Sequence, residues 1–165
     1  MKLKLTKKNV LLTINLSFYL EMTGSAQLAP GEIGELTKYW QKWFPLLNVY
    51  TLGEPKGYLL IFLDKKVEQE ISAIWQASPS QGYRVDLIAK TMLMAAVKEF
   101  VPELAMLKCA PVPKVNKNIR KQVAASGLEV KQNGLLSHSY AVFTYYPYRG
   151  QCELCLFKDT CKKVL

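Results

Sequence analysis

The stretch Asn48–Asp64, "NVYTLGEPKGYLLIFLD", decides how this chain folds. Two apolar runs, Asn48–Leu52 and Tyr58–Leu63, flank Gly53-Glu54-Pro55-Lys56-Gly57, and Gly/Pro punctuation between such runs predicts a β-hairpin. The second run is apolar at every position, so both of its faces must be covered, which predicts a central strand. Asp64 then stands where a carboxylate can cap a helix, and Val67, Ile71, Ile74 and Trp75 follow on one helical face.

Working outward from the hairpin, Ile33, Leu36, Trp40, Trp43 and Phe44 recur at helical spacing, and Pro45 ends that helix. Beyond the helix after Asp64, "SPSQG" interrupts the chain. Residues 83–101 then predict a long helix, apolar on most sides apart from Arg84, Asp86, Lys90, Lys98 and Glu99, fit for the centre of the fold. Upstream, Leu12, Ile14, Leu16, Phe18, Leu20 and Met22 alternate with polar Thr13, Asn15, Ser17 and Glu21. Period 2 over eleven residues reads as a long N-terminal β-strand, fed by a hairpin through Thr6–Asn9, rather than as the uniformly apolar core of a secretory leader. Downstream, residues 114–126 read as a basic helix ending at Gly127, and residues 128–131 and 135–146 as strands joined through Asn133-Gly134. The sum is an α+β fold with a largely antiparallel sheet.

With 165 residues, half of them hydrophobic, the chain has enough apolar side chains for one packed domain over 1–165. No run approaches the ~20 apolar residues of a membrane span, so the expected location is the cytoplasm, where thiols stay reduced. The net charge of +9 is unevenly spread. Residues 108–165 carry ten Lys/Arg against three acids, while residues 1–107 carry twelve against ten. The part 109–165 is thus basic and also holds every cysteine, which suits an anionic partner or cofactor.

Those cysteines are the strongest chemical signal. Cys152, Cys155 and Cys161 form C-x2-C-x5-C within ten residues, and the remaining one, Cys109, lies far upstream on an extended link. The C-x2-C spacing lets one turn present two thiolates to one centre, and Cys161 can return to it. Cys109 is the candidate fourth ligand, although by itself it also fits an ordinary buried thiol. Four thiolates complete either tetrahedral Zn²⁺ or a [4Fe–4S] cubane. Zinc sites usually come as two C-x2–4-C knuckles. Here one knuckle is replaced by a five-residue gap and a distant cysteine, and that asymmetry favours the cluster. Arg149, Lys158, Lys162 and Lys163 surround the site and suit its negative charge. A thioredoxin-type redox pair is the weaker reading, because no βαβ unit precedes the motif.

One upstream cysteine followed by C-x2-C-x5-C resembles the iron–sulfur clasp of RecB-type nucleases, found in CRISPR-adaptation and helicase–nuclease families. The resemblance implies a [4Fe–4S] cluster held by Cys109, Cys152, Cys155 and Cys161 that ties the C-terminal segment to the body of the fold. It covers little more than the last ten residues or so and Cys109, and the same spacing occurs in auxiliary-cluster domains of radical-SAM enzymes. The nuclease site itself calls for an acidic residue on one strand and E-x-K on the next. Glu54-Pro55-Lys56 has that form but lies in a turn. The reading is therefore a clasp without a catalytic site.

Further chemistry is thin. His138 is the only histidine, and the sequence contains no P-loop, no G-x-G-x-x-G and no G-x-S-x-G. Lys114, Lys117, Arg120 and Lys121 form a candidate phosphate-binding set, with Tyr140, Tyr145, Tyr146 and Tyr148 as stacking surfaces. Tyr146-Pro147-Tyr148 would alternatively shield the metal from water. The expected partners are nucleic acid or a redox enzyme. The functional reading is a cluster-binding accessory protein, with electron transfer or structural zinc as alternatives.

Overall fold

The computed structural model describes residues 3–53, 55–104, 109–149 and 152–161. A four-stranded antiparallel sheet runs in chain order: β1 (Leu5–Lys7), β2 (Leu47–Leu52), β3 (Gly57–Leu63) and β4 (Ala141–Tyr146). The hairpin is as predicted: Leu52 pairs with Tyr58 and Leu47 with Leu63. β3 lies between β2 and β4, which is why its side chains are apolar on both faces.

Because side chains alternate along a strand, the register sorts the sheet into two surfaces. Val49, Leu59, Ile61 and Leu63 pack in one core beneath α1 (Leu16–Thr23), α2 (Glu32–Trp43), α3 (Lys65–Ala77) and α4 (Pro79–Phe100). Leu52, Leu60, Phe62 and Phe143 form a second core with Ile119 and Val123 of α5 (Lys117–Ala124), closed by Leu128 and Val130. The result is helices, sheet, and a thinner basic layer.

Helix caps explain where the sequence reading succeeds. Asp64 accepts the Lys66 amide at 2.9 Å and starts α3. Ser78 caps α4 and Pro79 occupies its first turn, so that helix starts four residues before the predicted position and "SPSQG" is its beginning rather than a break. The long N-terminal strand is corrected. Val10, Leu12 and Ile14 do pack against the main core while Leu11 and Thr13 face solvent, so the period-2 pattern is real up to that point. At Asn15 a stronger local signal takes over: its Oδ1 accepts the Phe18 amide at 3.0 Å and nucleates α1. Gly24, in the left-handed region at φ 68°, closes the helix. Phe18 and Tyr19, adjacent in sequence, are both buried, which a strand could not achieve on one face. Nor do residues 6–9 turn as a hairpin: β1 pairs directly with β2, Leu5 opposite Leu52.

The strands predicted at 128–131 and 135–146 are also shortened. They meet only in a bridge between Val130 and Leu136. The Asn133-Gly134 turn is present, with Gly134 at φ 80°. At Ser139 the amide and hydroxyl both donate to Glu68 of α3, and the chain enters the sheet only at Ala141. Among the described residues no helix is long and apolar enough to cross a membrane.

Candidate metal centre at the C-terminal cysteines

Cys152 and Cys155 lie at the two ends of a single tight turn. The Cys155 amide donates to the Cys152 carbonyl at 3.0 Å, and the Lys158 amide to the Cys155 carbonyl at 3.2 Å, leading into a second turn that ends at Cys161. Cys152 is exposed and Cys155 and Cys161 are half-buried. Cys109 is exposed and lies in an irregular stretch with Pro111 and Pro113.

Three contacts bring that upstream stretch and the cysteine tail together around β4. Thr144 donates its buried hydroxyl to the Pro111 carbonyl at 3.0 Å. Tyr145 donates its hydroxyl to the Leu154 carbonyl at 3.1 Å. The Leu156 amide donates to the Val112 carbonyl at 2.7 Å. Thr144 and Tyr145 are successive residues and point to opposite faces of β4, the last strand of the sheet. The link and the tail therefore close over its otherwise unpaired edge. Leu156 and Phe157 seat the tail on the Asn133-Gly134 turn, where a Cβ on Gly134 would stand 2.4 Å from Leu156 Cδ2.

The electrostatics agree with this proximity. Burial raises the Tyr148 hydroxyl pKa above its ordinary value, and the charges of Cys152, Glu103 and Cys109 raise it further. One phenol thus senses thiols from both segments. Arg149, three residues before Cys152, stacks its guanidinium 5.2 Å from the Tyr145 ring centre and donates to the Gly57 carbonyl at 3.4 Å. Its Nε is buried and finds no hydrogen-bond partner among the described residues. Lys158 is exposed; Lys162 and Lys163 lie outside the described residues.

In kind, thiols carried on two segments that are hydrogen-bonded to each other would suit a soft metal centre. Among the described residues no three His, Cys, Asp or Glu side chains are close enough together to hold one ion. The structure thus unites the segments that carry the thiols but not the thiols themselves.

The other predicted residues are dispersed. Asn116 caps α5, so Lys114 precedes the helix, while Lys117 and Lys121 face outward and Arg120 donates to the Gln132 carbonyl at 3.4 Å. Three of the four predicted stacking tyrosines are engaged elsewhere. Tyr140 is buried and donates to Asp86 at 2.7 Å, Tyr145 is buried, and Tyr146 meets the Phe100 ring edge-on in the helix-side core. Glu54 lies outside the described residues, and Lys56 is exposed in a turn. No protein-family model, curated protein or solved structure matches this chain.

His138 packs edge-on against Phe62 at 5.1 Å, with Nδ1 2.8 Å from the Ser137 hydroxyl. Burial lowers its pKa below 6.5, Lys65 adds to this, and Glu68, Asp64 and Glu129 oppose it. With one histidine in the chain, a proton NMR titration reads this group alone, and its midpoint is expected below 6.5. The unfolded chain then takes up the proton first. His138 therefore detracts from stability as pH falls through 6.5, and has no effect above it. A midpoint at or above 6.5 would remove this packing from the account.

Proposed function

We propose that this chain is an accessory protein that binds a [4Fe–4S] cluster through Cys109, Cys152, Cys155 and Cys161, and that its basic layer contacts nucleic acid. The observation that carries the first half is the closure of the Cys109 link and the cysteine tail around β4, through Leu156 to Val112. A sheet edge is a template for unwanted pairing, and a crosslink over it protects the fold. Four thiolates would leave no iron open to substrate, so the cluster would be structural or an electron-transfer centre rather than a Lewis acid, and closure over the β4 edge favours the structural role. Crosslinking residues 43 apart restricts the unfolded chain by about 4 kcal/mol, on the chain-entropy estimate used for disulfides. A cytoplasmic location belongs to this reading, since the thiols must stay reduced to bind the cluster.

The test is anaerobic purification followed by iron and sulfide analysis and an absorption spectrum. About four irons per chain with a broad band near ~400 nm is the expected result. One zinc and a colourless sample would replace the cluster with a structural zinc clasp. Colourless protein with neither metal would end the metal reading.

A further inference from the structure

The sheet register uncovers a surface that the sequence reading missed. On the α5 side, Lys7 of β1 lies opposite Tyr50 of β2, and Tyr58 of β3 opposite Tyr145 of β4. Tyr50 pairs with Leu60 and Tyr58 with Leu52, which makes the two tyrosines diagonal neighbours on one face. Both are half-buried, Tyr50 with one face stacked on Phe62 at 6.1 Å and Tyr58 tilted against Phe143 and Tyr145. Each keeps part of its ring at the surface, whereas Leu52 and Leu60 between them are fully covered. A cation caps each end of this row. Lys7 Nζ lies 6.0 Å from the Tyr50 ring centre, and the Arg149 guanidinium covers Tyr145.

The fold also separates charge between the two sides of the sheet. The segment covering the α5 side, residues 114–138, has five Lys/Arg against one acid. Residues 16–100, which supply the helical side, have eight against nine. On the basic side Lys117 and Lys121 point away from the buried Ile119 and Val123, and so remain available to a partner. Partly exposed rings bracketed by cations, beside a surface almost free of acids, have the chemistry that recognises an unpaired polynucleotide. Phosphates neutralise the cations, and bases stack on the rings irrespective of sequence.

We propose that this face binds single-stranded nucleic acid, with Tyr50 and Tyr58 as stacking residues and Lys7, Lys117, Lys121 and Arg149 as phosphate contacts. The proposal deepens the nucleic-acid half of the reading above and rests on that half only. Its test is fluorescence anisotropy of the full chain with a labelled oligothymidine of about 15 nucleotides, against a duplex of the same length, over a salt series. Single strand is expected to bind more tightly than duplex. Tyr50→Leu and Tyr58→Leu should each weaken binding about tenfold. Tyr50→Phe, which keeps the ring, should bind like the unaltered protein, and this separates stacking from a folding defect. Lys117→Gln with Lys121→Gln should reduce the slope of log affinity against log salt by about 1.4. Binding of the leucine variants within about twofold of the unaltered chain, equal affinity for duplex, or no binding at low salt would each overturn the proposal. Iron measured in the same samples keeps the two readings apart. Ring-dependent binding without iron would sink only the cluster, and an iron-loaded protein indifferent to Tyr50 would sink only this surface.

Discussion

Cys152→Ser and Cys155→Ser are each expected to yield protein without iron and with poorer solubility. A serine hydroxyl keeps its proton at neutral pH and offers hard oxygen in place of soft thiolate, so a four-sulfur centre loses a quarter of its ligands. The two residues bound one turn, closed by the Cys155 amide on the Cys152 carbonyl, and neither can be replaced by a neighbour from that turn. On the proposed reading, loss of the centre would remove the crosslink between the tail and the Cys109 link, leaving hydrogen bonds such as Leu156 to Val112 and the packing of Leu156 and Phe157 on the Gly134 turn. If the closure is worth about 4 kcal/mol, the melting temperature should fall by roughly 10 °C. The exposed edge would then favour association between chains. Iron per chain, thermal melting and size-exclusion profiles measure these three effects. Cys109→Ser decides the fourth ligand: it should behave like Cys152→Ser, whereas normal iron in this variant would move the fourth position elsewhere. Normal iron in Cys152→Ser itself would show that the clustered cysteines do not share a centre.

How far such a site can be read from sequence depends on the range of the interaction. The hairpin, the Asp64 cap and the helix of residues 32–43 were legible because turn chemistry, capping and periodicity act within a few residues. The segment from Leu12 to Met22 was misread because its alternation satisfies a strand over its whole length while Asn15, a single polar residue within the pattern, starts a helix. Both signals are local, and the capping residue prevails because it satisfies an otherwise unpaired amide. The spacing of Cys152, Cys155 and Cys161 was equally visible. That the link from Cys109 and the tail should meet around β4 was not, since it depends on Thr144 and Tyr145 reaching in opposite directions from an edge strand. The same limit hid Tyr50 and Tyr58. They become neighbours of the basic layer only once the register assigns even-numbered residues of β2 and β3 to one face. Helical periodicity finds α5, but which strand residues beside it stay only partly buried follows from the sheet register alone.

Trp43→Ala is expected to produce a large loss of stability away from the cysteines. The ring is fully buried where α2 meets α3, 4.7 Å from Tyr39, and its Nε1 donates to Glu70 at 3.0 Å. Truncation should leave a cavity and cost about 3–5 kcal/mol, against a total of roughly 5–15 for a domain of this kind. Two effects are mixed in that figure, and Trp43→Phe separates them: it keeps most of the apolar volume and removes only the donor, for an expected cost of about 1–2 kcal/mol. Burial by itself would raise the Glu70 carboxyl, but hydrogen bonds from Lys42 and Trp43 outweigh it and hold its pKa below 4.5. That carboxylate therefore contributes stability above pH 4.5, and the contribution is lost as pH falls through its folded-state value. With phenylalanine the depression is smaller, so the gap between Trp43→Phe and the unaltered chain should narrow on acidification, whereas the cavity cost of alanine should persist. Urea midpoints at neutral and acid pH measure both, provided the slope with denaturant is unchanged. If alanine and phenylalanine shift the midpoint equally, ring volume is not what holds α2 against α3. In neither variant should the folded fraction lose iron, because Trp43 belongs to the helix-side core and the cysteine tail is seated on β4 and the Gly134 turn. Iron loss in a folded Trp43 variant would mean that the tail depends on the helical core more directly than through the sheet they share.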